Sequence, residues 1–121
     1  MATEITGKII GAAIEVHRHL GTGLLEAIYE SALCYELKIR SIAFEQQKIV
    51  DVIYKEIIIK GQRIDLLVEN EIVVELKSTK TYNEIFTAQA LSYLKATGLK
   101  TALIINFGHK RLIDGIKRIS L

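Results

Sequence analysis

The stretch from Arg63 to Lys80 constrains the fold most strongly, because charged residues interrupt two segments that are otherwise aliphatic. Its apolar residues are β-branched or leucine, and Glu69–Glu71 separates them like a turn. This pattern predicts two antiparallel strands joined in a hairpin. The charged residues inside the strands are Asp65, Glu75 and Lys77. An unpaired charge is costly to bury, so these three side chains need partners or a ligand.

The length of the hairpin loop decides whether the three charges meet. Side chains alternate along a strand, so Glu75 and Lys77 share one face of the second strand. A loop with an odd number of residues, such as Glu69–Glu71, places Asp65 opposite Glu75 and on that same face. A two-residue turn would send the carboxylate of Asp65 to the other face. We predict the odd loop, or a bulge with the same effect.

Two carboxylates and one ammonium group on one face favour metal chemistry. Neighbouring carboxylates repel, and a hard divalent cation such as Mg²⁺ (or Mn²⁺) relieves that repulsion through oxygen ligands. A lysine beside them can orient a water or stabilise developing negative charge. Two other interpretations stay open. The Glu-x-Lys pattern is also typical of an exposed ion pair on an edge strand, and the three charges could form a structural ion-pair network.

Apolar residues at helical spacing predict helices over residues 4 to 20, 24 to 39 and 84 to 97. Gly7 and Gly11 in the first helix predict close packing against another element. The predicted buried face of the second helix consists of Leu25, Ile28, Ala32, Tyr35 and Ile39. That of the third consists of Ile85, Ala88, Leu91 and Leu94.

Strand patterns fill the middle and the end of the chain. We predict strands at Phe44–Val50 and Ile53–Lys60, with a turn at Gly61–Gln62 leading into the Asp65 strand. A buried strand at Thr101–Phe107 and a short one at Ile116–Ser120 follow the last helix. Because several antiparallel strands follow one another, the chain lacks the alternating βαβ pattern of a Rossmann fold. The chain therefore combines helices and strands in an α/β (α+β) fold that is not a Rossmann fold.

Three helical residues are candidate partners of the acidic pair. Glu26, in the first turn of its helix, either favours the helix dipole or provides a third carboxylate to the site. Gln89 and Tyr93 lie one turn apart on the third helix. They are either a hydrogen-bonding pair on the surface, or Gln89 faces the acidic site while Tyr93 contacts the substrate backbone.

Composition leaves several functions open. A chain of 121 residues fits one domain. The formal net charge of +2 neither demands nor excludes a nucleic-acid partner. Cys34 is the only cysteine, so an intramolecular disulfide and a multi-cysteine zinc site are excluded. With no signal-peptide pattern and no apolar run long enough to span a bilayer, we expect no membrane association and a cytoplasmic location.

The order of these elements, with Asp, then Glu-x-Lys, then Gln-x-x-x-Tyr, resembles the PD-(D/E)XK nuclease superfamily. More narrowly, G-L-L-E-A-I-Y at Gly23–Tyr29 is similar to the signature of the GxxExxY proteins. Further similar segments cover nearly the whole chain: V-H-R-H-L-G-T-G, R-I-D-L-L-V, V-E-L-K, A-L-S-Y-L-K-A-T-G and I-N-F-G. Ile64 replaces the proline of the superfamily's name, a position that mainly shapes the strand.

The resemblance implies a restriction-endonuclease-like α/β/α core with a mixed central sheet. It implies that Asp65, Glu75 and Glu26 bind Mg²⁺ (or Mn²⁺) and that Lys77 assists the attacking water. Gln89 and Tyr93 match the superfamily's Q-x-x-x-Y element and would bind substrate.

The implied function is hydrolysis of phosphodiester bonds in nucleic acid, with DNA as the expected substrate. The alternative is a catalytically idle module that binds nucleic acid or protein on the same fold. We also expect one domain over residues 1–121 and a homodimer, because a domain this small would need a partner to cut both strands of a duplex.

Overall fold

The computed structural model describes residues 2–121, and its centre is a five-stranded sheet. The helices are α1 (Ala2–Leu20), α2 (Glu26–Ile39) and α3 (Glu84–Thr97), and a 3₁₀ turn spans Leu112–Gly115. The strands are β1 (Phe44–Tyr54), β2 (Ile57–Val68), β3 (Ile72–Lys77), β4 (Thr101–Asn106) and β5 (Ile116–Ser120). None of the described helices is long and apolar enough to cross a membrane.

The sheet is mixed, with its strands in the order of the sequence. Strands β1, β2 and β3 form an antiparallel meander. Helix α3 then crosses over, so that β4 pairs in parallel with β3, and β5 returns antiparallel to β4. Strands β3 and β4 lie at the centre of the sheet, and their side chains are buried except for the half-buried Lys77. The predicted mixed sheet is confirmed.

Each face of the sheet has its own apolar core. Helices α1 and α2 cover one face, where they contact Leu66, Val74 and Leu103. Helix α3 covers the other face, where it packs with Val73, Ala102 and Ile104. Because side chains alternate along a strand, Glu75 and Lys77 lie on the same face as Val73, beneath α3. The predicted α/β/α layering is therefore also confirmed.

The first hairpin is longer than predicted, and the predicted turn at Gly61–Gln62 is wrong. Both residues lie within β2, while the chain reverses at Lys55–Glu56. The ladder continues across the hairpin with one irregularity between Val50 and Val52. Gly61 has a φ of 128° opposite that irregularity. A glycine between strand patterns marks either a turn or a bulge, and here it marks the bulge.

The predicted buried face of α2 is wrong. The helix buries Tyr29, Leu33 and Leu37, whereas Leu25, Ile28, Tyr35 and Ile39 are exposed. Both sets recur at helical spacing, so periodicity alone could not choose between them.

The predicted buried face of α3 is wrong in part. Leu94 is buried as predicted, but Ile85 and Ala88 are exposed, and Ala90 and Tyr93 are buried. The ends of the helix are as predicted. The Asn83 side chain accepts a hydrogen bond from the amide of Ile85, and Gly98 takes the left-handed conformation at the C-terminus. The strand patterns after the helix are confirmed as β4 and β5.

Three glycines differ in the space around them. No neighbouring atom lies within 4 Å of a Cβ built on Gly7, so the prediction of close packing there is wrong. At Gly11 only the end of the Arg40 side chain comes near, at 3.5 Å. A Cβ on Gly108, by contrast, would overlap the backbone carbonyl of Thr79. Gly108 therefore permits the close approach of the chain after β4 to the loop after β3.

We expect Gly108→Ala to destabilise the protein by about 1–3 kcal/mol, because the backbone of Thr79 must move to admit the methyl group. Gly7→Ala is the matched control, and it should raise stability by up to about 1 kcal/mol through helix propensity. Urea unfolding of the two variants and the wild type measures both effects. Equal stabilities for Gly108→Ala and the wild type would contradict the close approach.

Candidate active site

The β2–β3 hairpin has the odd loop that the sequence predicts. Its ladder pairs Leu66 with Val74 and Val68 with Ile72, leaving the three residues Glu69–Glu71 as the loop. The amide of Glu71 donates to the carbonyl of Val68 at 3.0 Å and closes the turn. Extending this register by one residue places Asp65 opposite Glu75.

The two carboxylates each cross to the opposite strand. The backbone amide of Asp65 donates to Oε2 of Glu75 at 2.9 Å, and the amide of Leu76 donates to Oδ2 of Asp65 at 2.8 Å. Side-chain oxygens thus accept amide hydrogens just where the backbone ladder ends, beyond the Leu66–Val74 pair. These bonds hold the two carboxylates close together at the point where the ladder ends.

Burial raises the pKa of both carboxyl groups. Glu75 is only 4% exposed. Its burial, followed by the charge of Asp65, raises its pKa to about 8. Burial also raises the pKa of Asp65, although the hydrogen bond from the Leu76 amide opposes the shift. Lys77 lowers both pKa values without cancelling the increase. The pair therefore favours uptake of a proton or a cation.

Two side chains of helix α3 contact Lys77. Its Nζ donates to Oε1 of Gln89 at 3.0 Å and lies 4.6 Å from the ring centroid of Phe86. Both contacts come from the helix that covers this face of the sheet. Gln89 therefore lies next to Lys77, and helix α3 positions the ammonium group.

Tyr93 is buried and is not a surface residue. It is 5% exposed, within the apolar core beneath α3. Burial, followed by the charges of Glu75 and Asp65, raises the pKa of Tyr93 to about 12. A hydroxyl with this pKa stays protonated at neutral pH and remains a hydrogen-bond donor. Because Tyr93 is buried and Gln89 binds Lys77, the two do not form the surface pair that was one of the alternatives.

Glu26 is exposed in the first turn of α2, and its charge adds to the raised pKa of Glu75. It therefore acts on the acidic pair through space. The start of α2 is tied to the end of β3, since Oγ of Ser78 donates to the carbonyl of Leu24 at 2.7 Å. Glu26, in the first turn of α2, is thereby held near the end of β3.

Tyr29 explains why the G-L-L-E-A-I-Y segment positions Glu26. Its hydroxyl donates to the carbonyl of Gly21 at 2.6 Å and accepts from the amide of Leu24 at 3.3 Å. Its ring stacks on Phe107 at a centroid distance of 4.4 Å. One buried side chain thus joins the link before α2 to the end of β4.

Asn106, at the end of β4, links the loop that follows β3 to the chain that follows β4. Its Oδ1 accepts hydrogen bonds from the amides of Thr79 and Gly108, each at 3.0 Å, and its Nδ2 donates to Oγ1 of Thr79 at 3.0 Å. The amide of Phe107 also donates to the carbonyl of Lys77 at 2.8 Å. The loop that follows Lys77 is therefore anchored at its beginning.

The sequence analysis missed Glu30 and Gln47. Nε2 of Gln47 donates to both carboxylate oxygens of Glu30 at 3.0 Å, and Nε2 of Gln46 adds a third bond at 2.8 Å. The charge of Glu30 raises the pKa of Asp65, and a hydrogen bond from Gln47 lowers it. Glu30 follows Glu26 by one helical turn, a spacing that could have indicated it. Gln47 has a φ of 54° within β1, which no sequence pattern signals.

The donor set suits a cation that keeps much of its water. Within residues 2–121, no cluster of three or more His, Cys, Asp or Glu side chains is close enough to hold a metal ion. Asp65 and Glu75 still offer two adjacent carboxylates, one half-buried and one buried. Mg²⁺ is usually bound by one or two carboxylates together with waters and substrate phosphates. The residues present therefore fit Mg²⁺ or Mn²⁺.

We expect stability to fall as the pH rises, because of Glu75. The folded protein keeps this proton up to about pH 8, whereas the unfolded chain releases it near the ordinary pKa of 4.5. Between these values the folded state binds more protons, so the free energy of unfolding decreases with pH. Glu75→Gln removes this loss. Between about pH 5 and pH 8 the variant should gain at least about 1 kcal/mol relative to the wild type.

Urea unfolding at several pH values, with a chelator present, measures this difference. Glu56→Gln is the control, since Glu56 is exposed at the turn of the first hairpin. Its stability should follow that of the wild type at every pH. Parallel curves for Glu75→Gln and the wild type would show that burial does not raise the pKa of Glu75.

Comparison with known proteins agrees with this geometry. The profile of the PD-(D/E)XK nuclease superfamily matches residues 3–119, which is nearly the whole chain. No curated protein and no solved structure gives a significant match. Three helices around an open five-stranded mixed sheet form the restriction-endonuclease-like fold of that superfamily. The chain belongs to the PD-(D/E)XK nuclease superfamily.

Proposed function

We propose that this protein is a metal-dependent nuclease that hydrolyses phosphodiester bonds in DNA. The observation that carries the proposal is the pair formed by the buried Glu75 and the half-buried Asp65, whose carboxylates lie close together with raised pKa values. A chain that only needed stability would gain from replacing such a pair with apolar residues. Perturbed carboxylates of this kind are typical of functional sites.

Asp65 and Glu75 would hold Mg²⁺ or Mn²⁺, with Glu26 contributing from the exposed side. When bound, such an ion polarises a phosphoryl oxygen and lowers the pKa of a coordinated water. The two carboxylates are positioned by amides of the opposite strands, so little rearrangement is needed when the substrate arrives.

Lys77 would act on the reacting water and the phosphate. Hydrolysis joins the oxygen of water to phosphorus and breaks the bond to the leaving sugar oxygen, which takes up a proton. The Lys77 ammonium can orient the water and stabilise negative charge that develops on the phosphate. Gln89 holds Nζ at 3.0 Å and would keep it directed at the site.

The roles of Gln89 and Tyr93 in substrate binding follow from their neighbours. The amide nitrogen of Gln89 can donate to the substrate backbone while its oxygen holds Lys77. The Tyr93 hydroxyl stays protonated, since its pKa is raised to about 12, and it can donate to a group at the acidic pair. With a side chain only 5% exposed, Tyr93 would contact substrate through that hydroxyl alone.

We further propose that the chain is a GxxExxY protein whose residues 1–121 form one domain and work as a homodimer in the cytoplasm. The G-L-L-E-A-I-Y motif supports the subfamily, since its tyrosine ties the start of α2 to the site. The single free thiol of Cys34 fits a reducing compartment.

A second candidate function is a binding module without catalysis, on the same fold. The observation that favours it is that, among the described residues, only two carboxylates come together and no larger ligand cluster forms. A formal net charge of +2 also provides little general attraction for a polyanion.

We expect the protein to nick supercoiled DNA and degrade linear DNA when Mg²⁺ or Mn²⁺ is present. Glu75→Ala and Lys77→Ala should each slow cleavage by at least about 100-fold, because each removes a charge at the reacting phosphate. Glu56→Ala and Lys48→Ala are the controls, since both residues are exposed on the first hairpin. Circular dichroism checks that all four variants fold, and the same assay on RNA tests the choice of substrate.

Metal binding separates the two candidate functions. Calorimetric titration of the wild type with Mn²⁺ or Mg²⁺ should show binding that Asp65→Asn and Glu75→Gln abolish. Glu26→Gln should weaken it less, because Glu26 is exposed. If the wild type neither binds these ions nor cleaves any nucleic acid, the enzyme proposal fails and the binding module becomes the leading function.

A further inference from the structure

Helix α2 and its N-cap residue, Leu25, expose a continuous apolar stripe. The exposed fractions are 76% for Leu25, 47% for Ile28, 66% for Tyr35 and 58% for Ile39. Ala32 lies between them and is half-buried. The helix buries Tyr29, Leu33 and Leu37 in the core of its own chain, on a different face, and the half-buried Ala32 and Cys34 also pack against that core. The stripe therefore contributes little to the fold of a single copy.

The spacing of the stripe indicates what would cover it. Its members follow one another in steps of three, four, three and four residues, which is the heptad pattern of helices that pair along a seam. Ala32, at the centre, has a small side chain that lets a second helix approach closely. A partner of matching shape is thus an α-helix that lies along α2.

A groove beside the stripe enlarges the surface that a partner helix could contact. It runs between α1 and α2 and is lined in part by Val16, Leu20, Ala32 and Tyr35. A helix lying on α2 would also contact the side chains of α1 there. Two helices from each copy would then form a four-helix arrangement at the contact.

We propose that the occupant is α2 of a second copy, running antiparallel about a two-fold axis near Ala32. The first turn of α2 carries Glu26, and its last turn carries Lys38. An antiparallel arrangement places Glu26 of each copy near the end of the partner helix that carries lysine, whereas a parallel one places like charges together. The helix dipoles favour the same orientation. An isologous contact of this kind closes on itself as a dimer.

The size of the patch predicts a weak, reversible dimer. Four exposed apolar side chains offer on the order of 400 Å² per copy, which falls within the range of functional patches on small proteins. It is about half of what a standard stable interface buries on each partner, although the groove beside α1 adds to it. We therefore expect a dissociation constant on the order of 10 μM.

The end of the β1–β2 hairpin is the competing surface. Its apolar residues are also exposed, including Ile53 at 74% and Ile58 at 62%. They lie on a two-stranded ribbon without a heptad pattern. A substitution there serves as the matched control, because it removes a similar exposed apolar area from another place.

Sedimentation velocity of the full chain at increasing concentration tests the proposal. The wild type should change from monomer to dimer, and Tyr35→Glu and Ile39→Glu should each weaken dimerisation at least about 10-fold. Ile53→Glu should leave the dissociation constant within about three-fold of the wild type. Urea unfolding checks that the exposed substitutions leave the fold intact. A wild type that remains monomeric at about 200 μM, or a dimer that only Ile53→Glu disrupts, overturns the proposal.

Disulfide cross-linking tests the orientation. In a Cys34→Ser background, Ala32→Cys lies at the two-fold axis and should oxidise to a covalent dimer. Leu25→Cys should not cross-link to itself, since in the antiparallel arrangement it faces the partner's Ile39. Self-cross-linking at position 25 would instead show a parallel pair and overturn the proposed arrangement. Neither experiment depends on nuclease activity, so the dimer and the catalytic proposal can fail separately.

Discussion

The repulsion between Asp65 and Glu75 is the constraint on which the rest of the site depends. Two acids this close together, one buried and one half-buried, are unfavourable unless a proton or cation joins them. The hairpin compensates only in part, through one backbone amide donated to each carboxylate. Those amides belong to the opposite strands, so the pairing of β2 with β3 and the separation of the acids are set together. A register slip of one residue would disrupt both the strand pairing and the placement of the two acids.

The other elements converge on the end of β3 from two sides. On the side of α2, Tyr29 stacks on Phe107 and holds the link that positions Glu26. On the side of α3, Gln89 holds Lys77. The parallel pairing of β3 with β4 makes this possible, because it brings the carboxyl ends of both strands to one edge. In sheets with parallel strands, ligands commonly bind beyond such ends.

Sequence reasoning succeeded where a strict period or a single register decided the outcome. The acids could be aligned because the loop has three residues and side chains alternate along strands. It failed at Gly61, because glycine permits both a turn and a bulge and only the long pairing of β1 with β2 distinguishes them. It also missed Gln47, because neither its positive φ within β1 nor its hydrogen bonds to Glu30, which lies far away in sequence, has a local sequence signal.

The error at α2 has a different origin. The heptad-spaced residues from Leu25 to Ile39 form a seam as regular as that of a buried helix, yet the helix turns Tyr29, Leu33 and Leu37 to its own core. One helix at the surface of a single chain can bury only one of two such faces. The periodicity identified the helix but not the face that its own chain buries, and we propose that the exposed face packs against a second helix. In the proposed dimer that helix comes from a second copy, and the contact would bring two acidic sites into one assembly.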